Sequence, residues 1–209
     1  MYYISKGLQL ISLLVIGIGF ILQFPKLLSY KLLFVGILGT LLGSLIAYLL
    51  KARFDGVLDV HFIDSVKIYD PLLDNLINIF SLSLVLWIAG KIVNSKTRLI
   101  DIFNTSLIAR LPYYLISFAN INGYMGDLSQ RLLNFSAEKP ELLSIEGTDL
   151  LIILIFAFIS LLLLIYYLYL LYKGYQIATN AKGALPIILF ILVVLFAEVL
   201  SKYIISLIH

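Results

Sequence analysis

Long apolar runs separated by polar loops dominate the chain. The last two runs, Leu150–Tyr172 and Ala184–Ile208, are joined by the short polar segment 173–183. Each run is long enough to cross a bilayer, because about 20 helical residues at 1.5 Å per residue match a hydrocarbon core of about 30 Å. The pattern therefore predicts a transmembrane helical hairpin in this part of the chain.

Four more apolar runs precede this pair. They are Leu8–Phe24, Leu32–Leu50, Leu72–Val93 and Leu99–Asn122. The first is interpreted as a retained span and not as a signal peptide, because no small-residue cleavage site follows it. The pattern predicts an all-α fold, a polytopic transmembrane helical bundle of six spans in a single domain covering residues 1–209. Five spans are the alternative, if the first run only dips into the membrane.

Small residues recur every four positions along the second run. Gly39, Gly43 and Ala47 therefore share one face of a helix, where another helix backbone can approach closely. We expect this stripe to pack against a helix of the same chain. Homodimerisation through the stripe is the alternative.

The loop 51–71 is polar and rich in aspartate. Phe62, Val66 and Tyr69 recur in it at helical spacing, which predicts a short amphipathic helix on the membrane surface. The spacing of its aspartates matches no calcium-binding loop, so a solvated acidic face is favoured over a metal site.

Polar side chains also fall inside the predicted spans. The third span begins with Asp74 and Asn78 on one face, and the fourth carries Arg110 near its middle. Pro112 follows and typically kinks a helix. A charge at membrane depth is costly and normally faces a partner or a water-filled cavity.

The last span contains Glu198 and Lys202, four residues apart and hence on one face. Arg110 lies about 16 Å, and Glu198 about 20 Å, from the same end of the bundle. These depths suggest that Arg110 and Glu198 face each other in the bundle interior, with the face of Asp74 and Asn78 nearby. Lys202 is expected either beside them or extended to the outer interface. Two interpretations stay open: a pair that fixes helix register, or a polar cavity for a small solute or proton.

Composition supports a membrane location and narrows the chemistry. Hydrophobic residues make up 62% of the 209 and charged residues 13%, about half of what a soluble domain carries. With no cysteine, two histidines and no catalytic or ligand-binding motif, the sequence predicts no enzyme, no metal and no cofactor. The net charge of +3 lies in loops beside the spans, which favours the lipid bilayer over nucleic acid as partner.

Basic residues predict the orientation. The Lys and Arg residues divide equally between the loops expected on the two sides of the membrane. Loop length therefore decides the orientation, because short loops follow the positive-inside rule most closely. The short basic turns are therefore expected to be cytoplasmic, with both termini outside. Their basic residues are Lys91, Lys96, Arg98, Lys173 and Lys182.

The arrangement of these turns resembles a known family. One span ends in Ala89-Gly90-Lys91 before a basic turn, and the next is interrupted at Leu111-Pro112. Tyr172-Lys173-Gly174-Tyr175 and Lys182-Gly183 then flank the last loop. Over about residues 72–209 this pattern resembles the Yip1 domain family of small polytopic membrane proteins.

The resemblance implies about five helical spans with both basic turns cytoplasmic. Eukaryotic relatives are associated with Rab GTPases and vesicle traffic, and bacterial relatives are largely without a known activity. This chain lacks a long polar N-terminal region and carries an extra first run, which favours a bacterial relative in the inner membrane. We therefore expect a non-enzymatic scaffold or adaptor that binds a membrane or peripheral protein, with a small transporter or channel as the alternative.

Overall fold

The computed structural model describes residues 29–133 and 147–208, which are mostly helical. The helices are α1 (Ser29–Leu49), α2 (Asp70–Val93), α3 (Leu99–Arg110), a 3₁₀ segment (Leu111–Gly123), α4 (Tyr124–Leu133), α5 (Gly147–Thr179) and α6 (Leu185–Ile208). The strands β1 (Ala52–Arg53) and β2 (His61–Phe62) lie between α1 and α2. The predicted all-α class is confirmed, since the two strands contain only four residues.

Four of the described helices are long and apolar enough to cross a membrane. They are α1, α2, α5 and α6, and they correspond to four of the predicted runs. This finding fits an integral membrane protein. The first predicted run, Leu8–Phe24, lies outside the described residues, so six spans are not supported.

The predicted span Leu99–Asn122 is not among the four candidate spans, and the irregularity expected at Pro112 takes the form of a broken helix. Helix α3 ends at Arg110 after 12 residues, a length of about 18 Å, and the chain continues as a 3₁₀ segment. Pro112 lies in the first turn of that segment, and the backbone leaves helical geometry at residues 120–122. Proline supplies no amide hydrogen and disfavours continuation of the α-helix, which accounts for the change near Arg110.

The interrupted segment nevertheless connects the two ends of the bundle. Before α3, the hydroxyl of Thr97 donates to the Gly90 carbonyl near the end of α2 (3.0 Å). After the 3₁₀ segment, the Asn120 amide donates to the Leu50 carbonyl just beyond α1 (2.8 Å). We call the first the basic-turn end and the second the hairpin end of the bundle.

The small-residue stripe of α1 faces other parts of the same chain. A Cβ atom added to Gly36 would lie 2.7 Å from the Cβ atom of Leu107, on α3. Added to Gly43, it would collide with the ring of Tyr114 in the 3₁₀ segment. Gly39 faces Leu111 in the same way, and Ala47 is fully buried. The absence of side chains thus lets α1 approach α3 and the 3₁₀ segment closely.

The last two helices meet chiefly at their turn. Near it, the ring of Phe190 lies 5.2 Å from that of Tyr172 and 5.7 Å from that of Tyr175, between centroids. Beyond the turn, α6 packs mainly along α2, whereas α5 packs along α3 and the 3₁₀ segment. The predicted helical hairpin therefore turns where expected, but its helices are stabilised by other partners.

The predicted surface helix in 51–71 is wrong, because the segment folds as a β-hairpin inserted into the bundle. Ala52 pairs with Phe62, and Arg53 with His61, in antiparallel register. Phe54 is fully buried. The helical spacing of apolar residues misled the prediction, since the buried side chains belong to other positions of the loop. We call residues 52–62 the inserted hairpin.

Candidate functional site beneath the inserted hairpin

Arg110 is the largest fully buried side chain in the described part of the chain. It is the last residue of α3 and has no exposed surface. Its Nη1 donates to the Val57 carbonyl of the inserted hairpin (2.9 Å), and its Nη2 donates to Oδ1 of Asn75 on α2 (3.1 Å). The guanidinium therefore joins three parts of the fold through hydrogen bonds to neutral acceptors.

Four aromatic rings surround this guanidinium. Its Cζ atom lies 5.6 Å from the ring centroid of Phe54 and 5.9 Å from those of Tyr113, Tyr114 and Tyr167. Ring faces attract cations, and the attraction grows when both groups are removed from water. Among the described residues no carboxylate lies within 4.0 Å of Arg110. The aromatic rings and the neutral acceptors therefore stabilise the buried charge.

Glu198 binds the same hairpin from α6. Its Oε2 accepts a hydrogen bond from the Leu58 amide (2.7 Å), and its Oε1 lies 3.1 Å from Nζ of Lys202. A Cβ atom added to Gly56 would lie 2.5 Å and 2.6 Å from the two carboxylate oxygens. Only a residue without a side chain lets the carboxylate approach the hairpin this closely.

Arg110 and Glu198 are thus linked through one peptide group, and the direct pair suggested by their depths is not formed. The Val57 carbonyl and the Leu58 amide belong to the same peptide unit, with Arg110 at one side and Glu198 at the other. The negative end of the peptide dipole faces the cation and the positive end faces the anion. Tyr113 adds a third contact by donating to the next carbonyl, that of Leu58 (2.6 Å).

The Asp74 and Asn78 face of α2 is also directed at the inserted hairpin. Asp74 is fully buried and forms a two-bond ion pair with Arg53 (2.8 Å and 2.6 Å). The Asn78 amide donates to the Phe54 carbonyl (2.7 Å). Burial disfavours the charged form of Arg53, but the hydrogen bond and charge of Asp74 outweigh it and raise the pKa of Arg53.

The mouth of the site is charged and partly exposed. Nζ of Lys202 lies 2.6 Å from an oxygen of Asp59, so Lys202 joins α6 to the inserted hairpin. Nδ1 of His61 lies 2.8 Å from an oxygen of Asp55, within the hairpin itself. The predicted aspartate-rich face therefore supplies partners for cations at this end of the bundle. Asp55 and Asp59 are only partly exposed.

The basic turns lie together at the opposite end. The Asn94 amide donates to the Thr179 carbonyl (3.1 Å), which joins the turn after α2 to the turn after α5. The five basic residues predicted there, Lys91, Lys96, Arg98, Lys173 and Lys182, are all exposed. Arg98 pairs with Asp101 at the start of α3 (2.8 Å). None of these residues reaches the hairpin end.

Sequence reasoning missed several residues of the site. Asn75 lies next to Asp74 and so fell outside the single face that was considered. Tyr113 and Tyr114 follow Pro112 directly. Two adjacent aromatic residues so close to a buried arginine could have indicated that their rings contact its guanidinium. Tyr167 comes from α5, and no local pattern indicates that it meets Arg110.

The charged groups of the site contact other parts of the same fold. In the described part of the chain no group of three or more potential metal ligands is present. Most polar groups at the site form hydrogen bonds with one another or with the backbone of the hairpin, whereas Nε of Arg110 and Oδ1 of Asn78 form none with the described residues. Comparison of the chain with protein-family models, curated proteins and solved structures gives no match.

Proposed function

We propose that this chain is a non-enzymatic integral membrane protein, a Yip1-like scaffold or adaptor in membrane organisation or trafficking. One observation carries the proposal: the fully buried Arg110 and the partly buried Glu198 both contact the chain's own hairpin. Charges used in this way stabilise a fold and leave the outer surfaces for binding. The expected location is a bacterial inner membrane.

The layout of the described helices supports the Yip1-like arrangement. The segment 99–123 connects the two ends of the bundle, so α1, α2, this segment, α5 and α6 would make five crossings. The run Leu8–Phe24 would add a sixth. Both basic turns would then lie on one side of the membrane, which the positive-inside rule makes cytoplasmic.

Cysteine accessibility tests this topology, because the chain has no native cysteine. Single cysteines at Ser65, Ser95 and Ala178 would be treated with an impermeant maleimide in intact cells. We expect labelling at Ser65 and protection at Ser95 and Ala178. Labelling of the latter two from outside would contradict the orientation and the resemblance. Cysteines at Ser5 and Ser29 would decide between six spans and five.

A scaffold also needs a partner at the cytoplasmic face. We expect a protein that co-purifies in mild detergent at a constant ratio, and that is lost when Lys96 and Lys182 are changed to glutamate. Lys67→Glu, at the hairpin end, is the matched control and should retain the partner. A constant ratio in all variants would contradict binding at the basic turns.

A small transporter or channel is the second candidate. The polar residues Asn75, Asn78 and Ser106 are buried within the helix bundle, which favours this alternative. A transporter should show solute or proton flux in proteoliposomes, and Glu198→Gln should abolish it. A scaffold should show no flux in either form.

A further inference from the structure

The tip of the inserted hairpin, residues 54–58, forms hydrogen bonds with the bundle's polar groups through its main chain, whereas Arg53 and Asp59 contact Asp74 and Lys202 through their side chains. Side chains of α2, α3, the 3₁₀ segment and α6 bind the carbonyls of Phe54, Val57 and Leu58 and the amide of Leu58. Such contacts hold the hairpin without fixing the side chains at its tip. They can also be broken and remade as a set, because they converge on a few adjacent peptide groups.

The two charges beneath the tip are complementary to each other. Arg110 and Glu198 are separated by one peptide group, with contacts of 2.9 Å and 2.7 Å on its two sides. If the hairpin moved out, the long side chains of Arg110 and Glu198 could reach each other by changing rotamer. A direct ion pair would then replace the two contacts with the backbone. Leaving the buried charge of Arg110 without a partner would be far costlier, whereas Glu198 keeps its contact with Lys202.

We propose that the inserted hairpin is displaceable. Its tip, residues 54–58, exchanges between the inserted state described above and a withdrawn state in which Arg110 and Glu198 form a direct ion pair, while Arg53 keeps its ion pair with the buried Asp74. This inference goes beyond the proposed function and does not depend on it. It gives the hairpin end two defined arrangements of the same buried charges, and a partner or lipid that prefers one of them would shift the balance.

The flanks of the hairpin allow such a movement. Residues 63–69, which lead to α2, contain no helix or strand, and most of their side chains are exposed. On the other side, Lys51 has a positive φ of 54°, so the chain turns sharply just after α1. The strands contain two residues each, and hairpins this short are weak on their own. The buried Phe54 and Val57 keep the inserted state the major one.

Gly56 offers a way to shift the balance. A methyl group there would collide with the Glu198 carboxylate only when the hairpin is inserted. Gly56→Ala should therefore raise the population of the withdrawn state and leave the remainder of the bundle unchanged. No similar effect is expected at Gly147, where an added Cβ atom meets nothing within 4 Å.

The test uses the cysteine-free chain in lipid nanodiscs, where reagents reach both faces. Val57→Cys, at the buried tip, is compared with Ala89→Cys, which is buried on α2 near the basic-turn end. We expect maleimide to label the first at least tenfold faster than the second. Gly56→Ala should accelerate labelling at the first at least fivefold and leave the second unchanged. Equal rates, or a common increase at both sites, would overturn the proposal.

The direct ion pair has its own test. In the Gly56→Ala background, Glu198→Gln removes the charge that stabilises the withdrawn state but keeps an acceptor for the Leu58 amide. Labelling of Val57→Cys should then slow about threefold. An unchanged or faster rate would mean that Glu198 only holds the hairpin, and would overturn the pair.

Hydrogen exchange of the unmodified protein provides a check if the tip variants fail to fold. Amides of residues 54–58 should exchange at least tenfold faster than those in the middle of α2. Equal protection would overturn the proposal.

Discussion

The two ends of the bundle differ in the burial of their charged side chains. At the hairpin end, Arg53, Asp74 and Arg110 are buried, and specific partners surround each of them. At the basic-turn end, Lys96 and Lys182 are exposed. A buried charge needs its partners to compensate for lost hydration, whereas an exposed charge needs only water. The same substitution should therefore have very different effects at the two ends.

The largest effect is expected from Arg110→Met. It leaves the buried acceptors of Val57 and Asn75 without their donor, and it removes the cation from the surrounding aromatic rings. The free energy of unfolding in detergent should fall by about 3–5 kcal/mol. Fluorescence of Trp87, the only tryptophan, would follow the transition. Lys96→Met is the matched control and should not move the midpoint. Equal midpoints for both variants would remove the contrast between the two ends.

The next effect concerns the ion pair of Arg53 and Asp74. Asp74→Asn and Arg53→Gln should each destabilise the protein, and the double variant should lose less than the sum of the two. We expect a coupling energy of about 1–3 kcal/mol, because both groups are largely removed from water. The same comparison of single and double variants for the surface pair of Arg98 and Asp101 should give no measurable coupling energy. Additive losses at Arg53 and Asp74 would argue against a specific buried pair.

Gly43→Ala should have a smaller effect. The added methyl group collides with the Tyr114 ring, which must move within the cluster around Arg110. A loss of about 1–3 kcal/mol is expected from such overpacking. Gly147→Ala adds a methyl group in open space and serves as the control. If the stripe were a homodimer interface instead, Gly43→Ala would change the oligomeric state on size-exclusion chromatography and leave the unfolding of the monomer unaffected.

The smallest effect lies at α4 and disappears at high pH. Tyr124 donates a hydrogen bond to Asp149, and this bond raises the pKa of the Tyr124 hydroxyl. The stabilisation is complete below the pKa of the unfolded chain, about 10, and is lost as pH rises through the higher folded value. Tyr124→Phe should therefore lower the midpoint at pH 8 but much less at pH 11. A constant difference between these pH values would show that the bond does not act on stability.

The apolar pattern predicted the long helices well, and it failed where polar residues decide the structure. Runs of about 20 apolar residues leave few alternatives to a helix, because every backbone group must find a partner within the segment. The run Leu99–Asn122 is also long and mostly apolar, but Pro112 and the cluster of polar side chains divide it into two segments. The loop 51–71 was assigned to a surface helix from the spacing of Phe62, Val66 and Tyr69, although Phe54 and Val57 are fully buried.

The candidate site was found in part. The depths of Arg110 and Glu198 placed both residues at one level of the bundle, and Asp74 and Asn78 were recognised as facing inward. Their partners could not be predicted, because each contact joins residues far apart in the chain. Arg110 and Val57 are 53 positions apart, and Glu198 and Leu58 are 140 apart. Periodicity within one element carries no information on such contacts.

The sequence by itself determined the solvent in which this protein folds, the position of its long helices and the separation of acidic and basic loops. These properties follow from local composition, which governs transfer into a bilayer segment by segment. Only the tertiary structure decided that a polar loop enters the bundle and lies between Arg110 and Glu198. The physical reason is that a buried charge can be stabilised by any polar group of suitable orientation. Here that group is a backbone peptide of the inserted hairpin, whose position no side-chain pattern reveals.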